Sequence, residues 1–195
     1  MSRSVCTVLA LVGSLRRGSF NWRLARAATT LAPEGMTIAI YGALAQLPMF
    51  DEDLEADGGH PAVEDLRRAV RQADGLLIAT PEYNHGVPAL LKNALDWLSR
   101  PDPDEVLAGK PVLTMGASTG SWGTRLAQAS LRQTLFATQM ALAPQPALHV
   151  RSAAELFDEE GRLTDEATRS ALLQQLDGFA KWLFVARRCA SGEST

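Results

Sequence analysis

Three stretches of this chain, residues 5–12, 75–80 and 111–117, are almost continuously apolar, with no polar residue at every second place. A strand with one wet face alternates; a strand that does not must be covered on both faces. Between these runs the apolar residues change to helical spacing. Residues 19–31 carry Phe20, Leu24, Ala27, Ala28 and Leu31, then stop before Pro33 and Gly35. A second helix is expected over 62–73 behind Pro61, and a third over 87–99 with Pro88 in its first turn. A long helix follows Thr124 to about Met140, and an amphipathic one over 164–188 closes the chain. Short strands are expected at 36–41 and 147–150. Strand and helix thus alternate throughout, which predicts an α/β fold: a parallel sheet with helices on both faces.

At 195 residues the chain suits one domain, spanning 1–188, with a disordered tail at 189–195. Five strands at this size predict the smaller doubly wound order, the flavodoxin-like one, whose ligands gather at the carboxyl ends of the strands. A net charge of −3 offers no nucleic-acid or anionic-membrane surface. Cys6 and Cys189 lie at opposite ends, so a disulfide framework is not expected and a reducing cytoplasm fits. The apolar run near the start is short for a secretory signal and passes at once into Arg16 and Arg17. No run approaches the ~20 apolar residues of a membrane span.

Three loops fall at the carboxyl ends of the long strands. The first, GSLRRGSFN (13–21), joins strand one to helix one. A helix N-terminus offers backbone N–H groups and partial positive charge; Ser14, Ser19 and Asn21 add side-chain donors, and Arg16 or Arg17 a charged one. Gly13 and Gly18 let the backbone come close. The spacing is neither GxxxxGK[ST] nor GxGxxG, which points to a monophosphate. The plainer alternative is that Ser19 only caps the helix and the arginines are solvated. In the second loop, PEYNHG (81–86), Pro81 and Gly86 bracket a tight bend from which Tyr83 and His85 project, and it can aim amides at a flat heterocycle. Helix 87–99 then carries more apolar surface than one sheet face needs, which implies a second buried contact, a subunit. The third loop, GASTGSWGT (116–124), holds three glycines and Trp122, which could flank a ligand.

GSLRRGSFN followed by PEYNHGVPALLKNALDW resembles the NADPH-dependent FMN reductase family of flavodoxin-like proteins, which includes quinone, azo-dye and chromate reductases. The resemblance runs from about residue 8 to 132, where SLRQTL also matches. It implies that Ser14, Arg16, Ser19 and Asn21 bind the FMN phosphate. It implies that Pro81, Glu82, Tyr83 and Asn84 line the isoalloxazine ring, largely through backbone groups, and that Ser118, Thr119 and Gly120 close its other side. It further implies a homodimer or homotetramer, through helix 87–99 and with Arg125 and Arg132 as candidate subunit contacts. The chemistry implied is ping-pong transfer from NADPH or NADH through FMN to a quinone or another electron-poor acceptor, free flavin included. The segment STGSWGTRLAQAS departs from the pattern, lacking an aromatic near Ala129; the substrate-side wall and the choice of nicotinamide stay open there.

No catalytic dyad is visible. His85 is a candidate proton donor to a reduced quinone, or an exposed loop histidine. His60 and His149 read as structural, DEDLEAD (51–57) as a solvated loop, and no Cys/His grouping has metal spacing. Two other readings use the same cofactor: a flavodoxin-like electron carrier, and a flavin redox sensor acting through a protein partner.

Overall fold

A computed structural model describes residues 6–100 and 104–190, the last two without their side chains. The long apolar runs are the inner strands of one parallel sheet: β1 (Cys6–Val12), β3 (Gly75–Ala79) and β4 (Pro111–Ala117), with β2 (Met36–Ile40) on the β1 edge. The order is β2-β1-β3-β4, so the chain reverses direction across the sheet between β1 and β3. Successive residues of each inner strand go to opposite cores. Val8, Ala10, Val12, Leu77, Ala79, Leu113 and Met115 pack on one side, over α1 (Phe20–Thr30) and α6 (Glu166–Ala190). Leu9, Leu11, Leu76, Ile78 and Val112 pack on the other, over α3 (Pro61–Gln72), α4 (Ala89–Leu98) and α5 (Arg125–Ala137). Both faces are dry, as the unalternating runs require.

The fifth strand position is divided. β5 (Ala141–Leu142) pairs with Pro111 and Val112, β6 (Leu148–Val150) with Met115 to Ala117, and Pro144 and Pro146 lie between them. Proline donates no ladder hydrogen bond, so the edge is interrupted where the two occur. The expected strand at 147–150 is β6. β5 falls just past the point, Met140, to which the helical pattern was expected to continue: α5 stops at Ala137, Thr138 bonds back to the Thr134 and Leu135 carbonyls, and Gln139 turns left-handed at φ 55°.

The stretch read as a solvated loop holds one short helix, α2 (Glu52–Ala56), whose cap Asp51 accepts from the Asp53 amide. The apolar surplus of the helix expected at 87–99 also has an owner inside the chain. Trp97 is fully buried, donates to the Pro48 carbonyl at 2.9 Å and meets Phe50 edge-on, while Asn93 bonds both Pro48 O and the Phe50 amide. The 48–50 segment is therefore a second contact of α4 within the chain itself. Among the described residues no helix is long and apolar enough to cross a membrane. Cys6 is a free thiol; residues 191–195 of the expected tail lie outside the described residues.

Candidate active site

The ends of β1, β3 and β4 are tied to one another where their loops begin: Gly13 N–H donates to the Ala79 carbonyl and Thr80 N–H to that of Met115. Gly13 sits in a tight fit: a Cβ there would stand 3.2 Å from Leu91 Cβ and 3.3 Å from Pro81 Cδ, so those side chains would have to shift.

The 13–19 loop is closed by its own residues. Ser19 caps α1 by accepting from the Trp22 amide, the Trp22 indole donates to Ser14 O at 2.8 Å, and Arg16 donates to Gly18 O at 2.7 Å. The guanidinium groups of Arg16 and Arg23 lie 5.6 Å and 5.2 Å from the Phe20 ring centre, which keeps positive charge beside the start of α1. The amides of Phe20 and Asn21 open that helix without intrahelical acceptors, as first-turn amides must. The Asn21 side chain is engaged elsewhere. Its amide group pairs both ways with the Ala117 backbone, N–H to Oδ1 and Nδ2 to O, each at 2.9 Å and buried. That pairing joins α1 to the end of β4, so the donor that Asn21 leaves free at the cavity is its backbone N–H.

The second loop closes as a two-residue turn. Gly86 N–H donates to Tyr83 O at 3.0 Å, and Asn84 and His85 between them have φ of 51° and 63°. Two successive positive φ values define the type I′ geometry, and for residues with side chains they are strained. Glu82, just before the turn, reaches across to α5: its Oε2 accepts from the amides of Leu126 and Ala127 at 2.8 and 2.9 Å. Helix α5 needs this, because its own N-cap Thr124 is left-handed at φ 66° and caps no amide. Burial pushes the Glu82 carboxyl up, but the Ala127 amide, His85 and the Leu126 amide together outweigh it and hold the group below the ordinary carboxylate range. Glu82 is thus a fixed anion and no proton donor at neutral pH.

The third loop is held by β6 and by the turn after that strand: Ser118 N–H donates to Val150 O, and Ser152 N–H to Gly120 O. Around these three loops lies a cavity of about 180 Å³ lined by Ser14, Arg16, Ser19, Phe20, Asn21, Pro81, Glu82, Tyr83 and Ala117 to Thr119. Nine of the expected residues meet there; Asn84 and Gly120 stand outside the lining, one at the exposed tip of the turn, the other tied to Ser152. Arg16, and not Arg17, lines it. His85 has an 80% exposed side chain 3.4 Å from Glu82 Oε1. Phe20 and Ala117 also line the cavity and were not expected; in the sequence Phe20 reads as core only, and Ala117 as the end of a strand.

Residues 6–155 match the family model described as NADPH-dependent FMN reductase. The chain belongs to that family. Its curated relatives include an NAD(P)H-dependent FMN reductase of Pseudomonas aeruginosa, 43% identical over 90% of this chain and 94% of the relative. They also include a quinone reductase of Escherichia coli, 41% identical over the same shares, and a 2-hydroxy-1,4-benzoquinone reductase of Burkholderia at 38%. Among solved structures, FerB of Paracoccus denitrificans, a flavoenzyme NAD(P)H:(acceptor) oxidoreductase, superposes with a TM-score of 0.86 at 34% identity, over 93% of this chain and 99% of that one. FMN is the cofactor of this family, and the donors present suit it. Two buried serine hydroxyls, the first-turn amides of α1 and the Arg16 guanidinium converge on one corner, as a phosphate monoester demands.

Proposed function

We propose that this chain is an FMN-dependent NAD(P)H oxidoreductase that passes electrons to quinones, and that Ser14, Arg16 and Ser19 hold the FMN phosphate. The observation that carries the reading is the single cavity in which that cationic, hydroxyl-lined corner meets Pro81–Tyr83 and Ala117–Thr119. FMN held there would supply the two-electron redox chemistry between the nicotinamide and the acceptor.

The chain's own part is binding and orientation. Pro81, Glu82 and Tyr83, held by the 83–86 turn, form a second wall of the cavity, and Tyr83, half exposed, flanks the rim. Ionised Glu82 sets the distance between that turn and α5 without donating a proton. The one proton needed beyond the hydride to make a hydroquinone comes from solvent, because the rim is open and His85 faces water. An isolated His85→Ala variant is therefore expected to keep its quinone turnover within about twofold; loss of a hundredfold or more would make His85 a general acid. Homo-oligomers, which the family resemblance implies, would draw on α4 and on Arg125 and Arg132, with exposed Leu126 and Phe136 of α5 as further apolar surface. A reducing cytoplasm remains the proposed compartment, in keeping with the free Cys6 thiol.

The test is steady-state oxidation of NADPH and NADH by FMN-loaded protein, with and without a benzoquinone. Turnover that rises with quinone is expected. Tight flavin binding without turnover would favour an electron carrier, and a single reduction that then stalls would favour a sensor.

A further inference from the structure

A second cleft, of about 490 Å³, opens beside the flavin cavity and is lined by Ser121, Trp122, Arg125, His149 and Arg151. Both openings are walled by the same loop: Thr119 faces one and Ser121 the other, and two residues of chain span at most about 7 Å. A ligand longer than that, with one end at the flavin, extends naturally into the second cleft.

The chemistry of the cleft is specific. Arg125 and Arg151 are both exposed, and neither makes an ion pair with a carboxylate among the described residues, whereas Arg68, Arg100, Arg162 and Arg187 all do. No carboxylate lines the cleft. Glu82, whose charge is felt at His149, is already engaged by the α5 amides. Burial lowers the His149 pKa, with lesser influences in both directions, so the ring adds hydrogen-bonding capacity and the arginines supply the charge. Trp122 is 66% exposed although Arg125 stacks 5.1 Å from its ring centre, which leaves indole surface open to a flat base. The two arginines come from segments locked together: Gly123, at φ 58°, lies so close to the His149 backbone that a Cβ would stand 2.9 Å from its carbonyl carbon. The Ser152 amide holds the other side through Gly120 O. Two guanidiniums without carboxylate partners, carried on segments locked together beside an exposed indole, suit a phosphate monoester carried near an aromatic base.

We propose that this cleft takes the 2′-phosphoadenosine end of NADPH, with Trp122 stacking the adenine and Arg125 and Arg151 gripping the 2′-phosphate, so that these residues set the preference for NADPH over NADH. The proposal rests on the nicotinamide reading given above. It also gives a role to the stretch STGSWGT, the part of the chain that departs from the family pattern.

Calorimetry on the FMN-loaded full chain decides it, with adenosine 2′,5′-bisphosphate and 5′-AMP as probes. The bisphosphate is expected to bind about tenfold tighter than 5′-AMP, the worth of one or two charged hydrogen bonds. In Arg151→Gln and in Arg125→Gln that advantage shrinks to about twofold, and kcat/KM for NADPH falls about tenfold further than for NADH. Trp122→Ala weakens both nucleotides together. Both arginines are exposed, so folding is preserved, and retention of FMN through gel filtration verifies it. Equal affinity for the two nucleotides in wild type, or equal losses for NADPH and NADH in the arginine variants, would overturn the assignment. The two readings fail separately. A bisphosphate preference without nicotinamide turnover leaves the site standing and removes the reductase; turnover without any preference does the reverse.

Discussion

Helices α1 and α5 both begin at the carboxyl edge of the sheet beside the flavin cavity, yet they are started in opposite ways. Helix α1 is capped from one residue away: Ser19 accepts from the Trp22 amide, and the preceding loop is laced by Ser14, Arg16 and Trp22 of the same segment. Helix α5 begins at a left-handed Thr124 that caps nothing, and its amides are satisfied by Glu82, 44 residues earlier in the chain. One corner of the site is built locally and the other by a long-range contact. Damage to the first should stay local, whereas damage to the second should change the shape of the cavity.

The largest effect is expected where the two corners are joined. Asn21→Ala removes two buried hydrogen bonds and leaves both Ala117 backbone groups unpaired, at a cost of about 3 kcal/mol in denaturant unfolding. FMN affinity should fall with it, because α1 and the end of β4 would no longer be held in register. An unchanged midpoint would mean that the corners are independent.

Next comes Glu82→Ala, with a cost of about 2 kcal/mol, since two charge-assisted bonds to the Leu126 and Ala127 amides are lost. Weaker flavin binding and faster amide exchange at Leu126 and Ala127 should accompany it. Protection that persists there would sink the long-range cap. Ser19→Ala should cost about 1 kcal/mol, with exchange accelerated at Trp22 and not in α5. A disturbance spreading from Ser19 to α5 would erase the contrast between the two helices.

The smallest effect is a pH dependence that only the long-range corner should possess. Glu82 titrates below its ordinary range in the folded protein, so its contribution is complete above the unfolded carboxylate value of about 4.3 and is lost as pH falls through the lower folded value. The stability difference between wild type and Glu82→Gln, followed by urea titration from pH 6 downward, should therefore narrow towards acid. A gap that holds constant down to pH 3 would show that the charge is not what caps α5.

Much of this was legible in the residues because its causes are local. A short, β-branched apolar run without alternation fits a strand covered on both faces, and Ser19 ahead of an apolar helical pattern can cap that helix without help. The cavity lining was legible in nine of eleven positions, since each loop follows an inner strand directly and lands at the same sheet edge. Asn84 stands outside that lining because a tight turn puts its central residues at the tip.

The sequence by itself determined the alternation of strand and helix, the two dry faces of the sheet and the serine and arginine donors of the loop after β1, all set by the residues' own spacing and chemistry. Tertiary structure alone decided that α4 buries its surplus under Pro48 and Phe50, that two prolines divide the edge strand, and that Glu82 caps a distant helix. Those features depend on which segments become neighbours in space, and no local periodicity carries that information.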